Sequence, residues 1–430
     1  MALTKKPVTG MKDIMPREMQ IRDYVISMVK KTYASFGFES VETPVVEHIE
    51  NLCSKSGGEN EKLIFKILKR GEKLDLSNAS CEDDLVDAGL RYDLTLPLSR
   101  YYSNHMSELS NPFKALQIGS VFRAERPQKG RFRQFTQCDI DILGDPSPLC
   151  EIELILATTT LLGKIGFKGF TVRINDRRIL KAMAEYAGFK DPVTGSPLKD
   201  DGFDGIFITL DKMDKIGPDG VKEELVKAGY EESSVTKYLG LFDKTSGDSR
   251  GITGLNETLK GSIGDAADSL MTVIDSVNAT KTAQFNVIFD PALVRGMSYY
   301  TGTIFEISMD EFGSSVAGGG RYDGMVEKFT GAKTPACGFS IGFERIITIL
   351  LEKDFKVPGN TGKQVFLIEK GMDKDRLCDI IKEASKLREE GVSVSLCQMN
   401  KNRKFQKEQL KKEGIKEENI KDFYHTSFMD

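Results

Sequence analysis

Two neighbouring stretches of alternating apolar and polar residues constrain the fold of this chain more than any other feature. Residues 115–123 and 131–142 both show the period of two that is typical of strands with two different faces. The residues between them include Pro127 and Gly130, which favour a turn, and several basic side chains. The sequence therefore predicts a long antiparallel hairpin with a basic tip.

The second strand of the hairpin is predicted to have one apolar and one polar face. The apolar face carries Thr136, Cys138, Ile140 and Ile142. The polar face carries Arg133, Gln137, Asp139 and Asp141. Because aspartate is mostly exposed in folded proteins, the simplest interpretation is that both acids face solvent.

Periodicity along the rest of the chain divides it into four segments. Residues 1–175 hold the hairpin and begin with a predicted helix at 19–36, whereas residues 176–282 are mostly helical and suggest an inserted module. Strands return within residues 283–357. Residues 363–430 follow a βαβα order, which is typical of a small α/β domain.

Two prolines give local predictions. Residues 40–46 are extended around Pro44, which favours the edge of a sheet. Residues 91–102 begin extended and are predicted to become helical after Pro97. A run of glycines, Gly318 to Gly320, is by itself most often a tight turn or bulge.

Composition excludes several classes of protein. No apolar run approaches the ~20 residues that span a bilayer, and the N-terminal residues lack the apolar stretch of a secretory signal. The seven cysteines are widely spaced without a CxxC pair, so we expect free thiols in a cytoplasmic, reducing compartment and no zinc site. The net charge of −4 means that a nucleic-acid partner requires a local basic patch.

The motifs of several common enzyme classes are absent from the sequence. It contains no GxxxxGK[ST] phosphate loop and no HExxH, and its three histidines, His48, His105 and His425, are scattered. The remaining candidates for catalysis are arginine, carboxylate and backbone groups. Such groups suit charge stabilisation in phosphoryl or acyl-phosphate chemistry.

Three blocks of the sequence resemble the signature motifs of class II aminoacyl-tRNA synthetases. Residues 37–47 (GFESVETPVVE) are similar to motif 1, residues 122–127 and 130–135 (FRAERP, GRFRQF) to motif 2, and residues 338–345 (GFSIGFER) to motif 3. The resemblance implies an α+β fold with the antiparallel sheet of that class flanked by helices. It also implies a homodimer, because motif 1 packs across the dimer interface in this class.

Two further blocks narrow the resemblance to the histidyl-tRNA synthetase family. Residues 293–302 (LVRGMSYYTG) resemble its first histidine signature and residues 317–324 (AGGGRYDG) its second. Residues 91–95 (RYDLT) also match its amino-acid-binding segment. The implied activity joins L-histidine to ATP as an adenylate, with Mg2+ accompanying ATP, and then transfers histidine to tRNA(His). Residues 363–430 would correspond to an anticodon-binding domain, apparently shortened.

The resemblance assigns arginines to the nucleotide. Arg123 would contact the substrate carboxylate and the α-phosphate, and Arg295 would stand where relatives place a metal ion; these two are the expected catalytic residues. Glu125, Arg131 and Arg345 would bind the rest of ATP. Forked, permanently charged guanidinium groups suit a reaction in which phosphate oxygens gain negative charge.

The resemblance also assigns a histidine pocket. The ammonium group would bind within the segment Asp93, Leu94 and Thr95 and at Gln137, and the imidazole would bind Asp141 and Tyr300 beside Tyr299. For tRNA, the expected contacts are Gln128 and Lys129 in the hairpin tip and Lys404 and Lys407 in a C-terminal basic helix. A solvated basic face is the simpler interpretation of that helix.

Two positions depart from the family pattern, and one alternative function remains. Ser298 replaces an aspartate beside Arg295, so this arginine needs another orienting partner or is held more loosely. Taken by itself, Arg295 could also be a structural ion pair. Thr136 replaces a bulkier residue, which would enlarge the floor of the pocket. The alternative is the synthetase-like regulatory subunit of ATP phosphoribosyltransferase, which senses histidine without activating it; a pure RNA-binding scaffold fits less well, because it needs no small polar pocket.

Overall fold

The computed structural model describes residues 3–53, 59–127, 131–242, 245–295, 299–309, 314–358 and 362–425. The chain divides into two compact units, Met1–Phe355 and Lys356–Asp430. The four-segment division predicted from the sequence is finer than this and stays a prediction.

The first unit is built from eleven strands and twelve α-helices among its described residues. The strands are β1 (Glu39–Ser40), β2 (Val46–His48), β3 (Lys66–Leu68), β4 (Val86–Leu90), β5 (Phe113–Phe122), β6 (Gln134–Leu143), β7 (Phe170–Asp176), β8 (Phe285–Phe289), β9 (Thr303–Met309), β10 (Ser314–Arg321) and β11 (Ala336–Ile341). The helices are α1 (Pro16–Ala34), α2 (Ile49–Leu52), α3 (Thr95–His105), α4 (Leu149–Ile165), α5 (Arg177–Ala187), α6 (Asp204–Leu210), α7 (Met213–Lys227), α8 (Glu232–Phe242), α9 (Ser249–Thr258), α10 (Gly264–Thr280), α11 (Asp323–Thr330) and α12 (Phe343–Glu352).

Eight of these strands form one sheet in the order β1-β5-β6-β11-β10-β9-β7-β8. The strand pairs from β5 to β7 in this order are antiparallel. At the two edges of the sheet, β1 pairs in parallel with β5, and β8 pairs in parallel with β7. The predicted α+β fold, an antiparallel sheet flanked by helices, is therefore confirmed.

The predicted hairpin is formed by β5 and β6, which pair over ten residues each. Its tip, residues 128–130, lies outside the described residues. One interpretation was wrong: Asp139 and Asp141 are 3% and 2% exposed, so neither acid faces solvent. Both faces of β6 are covered in its second half.

Helices cover the apolar face of the sheet. The buried residues of α1 recur at helical spacing, at Ile21, Val25 and Val29, because that period puts them on one side of the helix. Helix α1 packs against α4 and α12, which in turn contact β11 and β6. The opposite face of the sheet is thereby left to carry polar groups.

The two local predictions that rested on proline had different outcomes. The helix predicted to begin after Pro97 starts earlier: α3 begins at Thr95, because a proline in the first helical turn removes no intrahelical hydrogen bond. The sheet edge predicted around Pro44 is confirmed: β1 is the edge strand of the eight-stranded sheet, and β2 is an edge strand of a separate three-stranded sheet ordered β2-β4-β3. Pro44, which has no N–H to donate, lies between the two.

The second unit contains β12 (Gln364–Ile368), α13 (Lys374–Glu389), β13 (Val394–Gln398), α14 (Arg403–Lys412) and β14 (Ile420–Phe423). The predicted βαβα order is present, and β14 adds a third strand that the sequence analysis did not identify. The strands are parallel in the order β13-β12-β14. None of the helices in the described parts of either unit is both long and apolar enough to cross a membrane.

Candidate active site

One face of the large sheet carries a continuous set of polar residues. Directly opposed residues of paired strands share a face, and the register places Gln117 of β5 opposite Asp139 of β6, which lies opposite Ser340 of β11. Farther along the same face, Gly318 of β10 lies opposite Glu306 of β9, which lies opposite Arg173 of β7. The sheet thus brings together residues that are up to 223 positions apart in the sequence, from Gln117 to Ser340.

Three carboxyl groups lie close together at this face. Burial, together with the like charge of the nearby Asp93, raises the pKa of Asp139 to about 7. Burial also raises the pKa of Asp141 well above its usual range and raises that of Asp93. The Asp93 carboxylate accepts a hydrogen bond from the backbone N–H of Leu96, 3.1 Å away, in the first turn of α3.

Gln137 is held by a small hydrogen-bond network. Its amide nitrogen donates to Oδ2 of Asp139 at 3.1 Å and to the Ser340 hydroxyl at 3.2 Å, and that hydroxyl donates to Oδ1 of Asp139. The amide oxygen of Gln137 is buried and has no hydrogen-bond partner in the part of the chain that the structure describes. A buried acceptor of this kind lowers the stability of the fold unless a ligand donates a hydrogen bond to it.

Asp141 lies beside a group of tyrosines. Its Oδ1 accepts a 2.7 Å hydrogen bond from the Tyr322 hydroxyl, while its Oδ2 is buried with no partner among the described residues. The rings of Tyr299 and Tyr300 are 4.4 Å apart and pack against the same cluster as Tyr322. Burial raises the pKa of Tyr300 to about 12, so all three hydroxyls are neutral donors at physiological pH.

Arg123 follows β5 at the opposite end of the pocket. Its guanidinium group lies 4.3 Å from the ring centre of Tyr92 and 5.0 Å from that of Phe135, and its Nε donates to the Tyr92 carbonyl at 3.2 Å. Two aromatic rings thus fix the plane of the guanidinium. Its charge also lowers the pKa values of Asp93 and Asp139.

Arg295 lies on the same face, against β9 and β10. Its Nε donates to the Glu306 carboxylate at 2.6 Å and its Nη2 to the Ser315 hydroxyl at 3.0 Å. Burial lowers the pKa of Arg295, but the charge and hydrogen bond of Glu306 together with the nearby Tyr299 and Tyr300 outweigh it, so the pKa is raised. Ser298 lies outside the described residues, and Glu306 now supplies the orienting carboxylate that was expected to be missing.

Glu306 links Arg295 to the helical segment. Its other oxygen lies 3.6 Å from Arg173, which also pairs with Asp290 at 2.6 Å and with Asp214 of α7 at 3.0 Å. Alternating charges therefore run from α7 to the nucleotide-binding candidate Arg295. Sequence patterns could not predict this connection, because the charged residues that form it lie on separate elements far apart in the chain.

The other expected ATP ligands are placed less closely together. Arg345, in the first turn of α12, donates to the Ser315 carbonyl; burial and then repulsion by Arg131 and Arg295 lower its pKa. Arg131 is exposed and lies 3.7 Å from the Glu125 carboxylate. Arg345 is thus near both Arg131 and Arg295, and the roles of these residues in ATP binding stay predictions.

Glycines make room for the charged groups at the floor of the site. A β-carbon at Gly119 would lie 2.2 Å from Nη2 of Arg91, one at Gly318 would lie 2.0 Å from Nη1 of Arg295, and one at Gly338 would lie 2.0 Å from Oδ1 of Asp141. The turn expected at Gly318 to Gly320 was wrong: these residues lie in the centre of β10, where any side chain would displace its neighbours.

Several residues of the site were missed by sequence reasoning. Arg91, which is 4% exposed, donates to the backbone carbonyls of Thr43 and Ser120 at 2.8 Å each. Gln117 donates to the Leu94 carbonyl at 3.0 Å and so fixes the segment that was expected to bind histidine. Thr136 was misplaced: its hydroxyl accepts from Arg22 at 3.0 Å on the helix-covered face, so it does not form the pocket floor.

The expected tRNA-binding residues are only partly described. Gln128 and Lys129 lie outside the described residues. On α14, Lys404 is exposed, whereas Lys407 forms a 2.6 Å ion pair with Asp422. Within the described ranges, no group of three or more His, Cys, Asp or Glu could hold a metal ion.

Comparison with known proteins identifies the family. The family model described as histidyl-tRNA synthetase matches residues 10–346. The chain belongs to the histidyl-tRNA synthetase family. Its match covers all three class II motifs and both histidine signatures, and it confirms the enzyme class predicted from them, a histidine–tRNA ligase.

Relatives of this family resemble the chain along most of its length. The histidine–tRNA ligase of Leifsonia xyli is 43% identical over 360 residues, which cover 81% of this chain and 81% of that protein. That of Flavobacterium johnsoniae is 34% identical over 425 residues, covering 90% and 86%.

Two solved structures resemble this chain in fold. The crystal structure of histidyl-tRNA synthetase from Nostoc sp. PCC 7120 has a TM-score of 0.77 and 27% identity, covering 96% of this chain and 90% of that one. A Bacillus halodurans structure titled an ATP phosphoribosyltransferase regulatory subunit/histidyl-tRNA synthetase has a TM-score of 0.73 at 19% identity, covering 98% of each chain, so its likeness concerns the fold alone.

Proposed function

We propose that this member of the histidyl-tRNA synthetase family binds L-histidine and ATP on the polar face of the large sheet. The observation that carries the proposal is a pair of buried acceptors that have no partner among the described residues, Oε1 of Gln137 and Oδ2 of Asp141, in a site flanked by Arg123 and Arg295. Acceptors suit the ammonium and imidazole N–H groups of histidine, and arginines suit carboxylate and phosphate oxygens.

The chemistry proposed for this site is attack of the histidine carboxylate on the α-phosphate of ATP. The carboxylate oxygen forms a bond to phosphorus, the bond to the bridging oxygen breaks, and pyrophosphate leaves. Arg123 would hold the carboxylate against the α-phosphate, and Arg295 would stabilise the charge that develops there. Glu125, Arg131 and Arg345 would hold the remainder of ATP, which we expect to enter with Mg2+.

Replacement of Asp141 by alanine is expected to raise the KM for histidine in histidine-dependent ATP–pyrophosphate exchange. The substitution leaves an imidazole nitrogen without its partner and frees the Tyr322 hydroxyl, at a cost of about 1–3 kcal/mol or roughly 5- to 150-fold. The KM for ATP should stay near that of the unmodified protein. An unchanged histidine KM would exclude Asp141 from imidazole recognition, and absence of any exchange by the unmodified chain would contradict the proposed function itself.

The regulatory-subunit alternative makes a different prediction in the same assay. A subunit that only senses histidine would bind it without exchanging pyrophosphate. The enzyme is favoured because Arg123, Arg131, Arg295 and Arg345 are all present around the site. In addition, the relatives in Leifsonia xyli and Flavobacterium johnsoniae are named histidine–tRNA ligases.

For tRNA(His), we propose contacts through the hairpin tip and α14. Lys404→Gln is expected to weaken tRNA charging and to lower the salt dependence of tRNA binding by about one unit of slope, because one phosphate contact is lost. Histidyl-adenylate formation should not change. Lys382→Gln, an exposed lysine on α13, is the matched control. Equal behaviour of the two variants would mean that α14 is only a solvated face. Lys407 is less informative, since its loss also leaves Asp422 unpaired.

We propose that the chain forms a homodimer through the motif 1 region. Val45 and Val46 are 38% and 47% exposed, and Leu68, on β3 of the same three-stranded sheet as β2, is 54% exposed. Apolar side chains grouped at one small sheet favour burial against a second copy. Light scattering is expected to give about twice the 47.8 kDa mass of one chain, and a monomer at micromolar concentration would contradict the proposal.

We also propose a cytoplasmic location. All seven cysteines are free thiols, which suits a reducing compartment.

A further inference from the structure

Asp139 has no role in the site as proposed above, although it is its most central carboxyl group. It is 3% exposed and lies between Gln137 and Asp141 on the same face of β6. Ionised carboxylates only accept hydrogen bonds, and a carboxylate can be buried cheaply only if donors surround it. The donors that it finds are the amide of Gln137 and the hydroxyl of Ser340.

The orientation of the Gln137 amide follows from these two partners. The NH2 group has two hydrogens, and acceptors stand at 3.1 Å (Asp139 Oδ2) and 3.2 Å (Ser340 Oγ). Since Ser340 gives its own hydrogen to Asp139, its oxygen is free to accept from Gln137. Both amide hydrogens are thereby committed, and the amide oxygen must point the other way, where it is buried and unpartnered among the described residues.

We propose that Asp139 is a positioning residue for histidine: through its ionised carboxylate, it holds the Gln137 amide with the oxygen aimed at the substrate ammonium group. The proposal rests on the proposed function of Gln137 as an ammonium ligand. An amide turned by 180° would present NH2 to a cation instead of an acceptor. Asp139 therefore acts on substrate affinity without touching the substrate.

Protonation of Asp139 should reverse this orientation. A neutral carboxyl group carries an O–H that can donate to the amide oxygen of Gln137, which would then leave the substrate. Burial raises the pKa of Asp139 to about 7, so the change in its protonation falls within the pH range of the assay. Binding of an ammonium ion favours the ionised form. The charged and titratable groups near Asp139 are Arg91, Arg123, Asp93, Asp141, Cys138, Tyr33 and Tyr300.

The sign of the pH effect follows from that pKa. Above about pH 8 the carboxylate is ionised, the amide oxygen faces the substrate and the kcat/KM for histidine is high. Below about pH 6 it is neutral and the advantage is lost. The Asp139→Asn variant keeps the size of the side chain and resembles the neutral form at every pH. Histidine itself also titrates in this range, but equally in both proteins, so the ratio of their kcat/KM values isolates Asp139.

The first experiment measures that ratio by histidine-dependent ATP–pyrophosphate exchange from about pH 5.5 to 8.5. We expect the unmodified protein to exceed Asp139→Asn by about 10- to 100-fold at high pH, the range for a hydrogen bond to a charged group. The ratio should approach one at low pH. A ratio that does not change with pH would overturn the proposal, because a merely structural aspartate affects both limits alike.

The second experiment separates this proposal from the role of Gln137. Asp139→Asn is compared in the unmodified protein and in a Gln137→Ala background. If Asp139 acts through Gln137, the Asp139→Asn substitution should raise the KM for histidine in the unmodified protein. The same substitution should cause no further rise in the Gln137→Ala background. Equal effects in both backgrounds would overturn the proposal while leaving Gln137 as a ligand. If Gln137→Ala itself leaves the KM unchanged, the ammonium role of Gln137 fails instead.

A substrate analogue provides a matched control. The α-hydroxy analogue of histidine lacks the ammonium group but keeps the imidazole and the carboxylate. Its inhibition constant should be the same for the unmodified protein and Asp139→Asn, whereas the KM for histidine should differ. Equal weakening of both ligands would show a general distortion of the pocket and would contradict the proposal. Circular dichroism and thermal unfolding verify that both variants are folded.

Discussion

Replacing Arg295 with alanine is expected to lower the rate of histidyl-adenylate formation by about 10²–10³, the usual effect of removing one aimed donor at a developing charge. The loss should appear in the rate of the chemical step and much less in ATP affinity, because phosphate oxygens gain negative charge mainly in the transition state. Rapid-quench measurement of a single turnover reports this rate directly. Arg295→Lys should recover only part of it, since an ammonium group lacks the fork that holds Glu306 and Ser315 together.

The contact with Glu306 makes a second outcome informative. Glu306→Gln keeps a hydrogen-bond acceptor 2.6 Å from Arg295 but removes the charge that orients it, so a smaller loss is expected than for Arg295→Ala. A single-turnover rate for Arg295→Ala equal to that of the unmodified protein would mean that the arginine serves only the ion pair with Glu306. That is the simpler interpretation of this residue from the sequence, and the structure contains the ion pair that it requires.

Arg22→Ala is expected to lower the free energy of unfolding by about 3–5 kcal/mol, because it leaves a buried carboxylate without its partner. Arg22 of α1 donates to both oxygens of Glu344 at 2.7 and 2.8 Å, and the two side chains are only 9% and 8% exposed. Glu344 also accepts from the backbone N–H of Thr136 at 3.1 Å. Denaturant-induced unfolding followed by circular dichroism measures the change.

A second arginine on the same helix serves as the control. Arg17 pairs with Asp354, but both side chains are 63% exposed, so Arg17→Ala should cost less than about 1 kcal/mol. The double variant Arg22→Met with Glu344→Gln should recover much of the loss, because no unpaired charge remains and the Thr136 N–H keeps an acceptor. If Arg22→Ala is no less stable than Arg17→Ala, the buried pair does not hold α1, β6 and α12 together.

The hairpin illustrates how far the sequence predicts this fold. Alternation identified β5 and β6 because each has different surroundings on its two faces, and the residues of the pocket on β6 were placed on one face correctly. Exposure could not be predicted in the same way. Asp139 and Asp141 are buried because β11 lies beside β6 and tyrosines from distant segments cover them. Alternation is a property of one strand and does not contain that information.

Partners supplied by distant strands explain the other omissions. The family resemblance named Arg295 and Gln137, but it did not mark Glu306 and Ser340 as the groups that orient them. Ser340 lies within motif 3, and Glu306 lies in none of the matched blocks. Strand β10 was not predicted, because its glycines have low strand propensity. Glycines occupy these positions because neighbouring side chains need the space. Register across the sheet, which joins these residues, arises only when the strands assemble.

The glycines at the floor of the pocket also limit how the enzyme can be redesigned for other amino acids. Gly119, Gly318 and Gly338 already have the smallest side chain, and the space above them is filled by Arg91, Arg295 and Asp141. No substitution at these three positions can deepen the pocket. In the proposed histidine site, space for a bulkier amino acid would instead come from shortening Tyr299, Tyr300 or Tyr322. A change at Tyr322 would also remove the hydrogen bond that its hydroxyl donates to Asp141, so substrate size and side-chain recognition would be altered together.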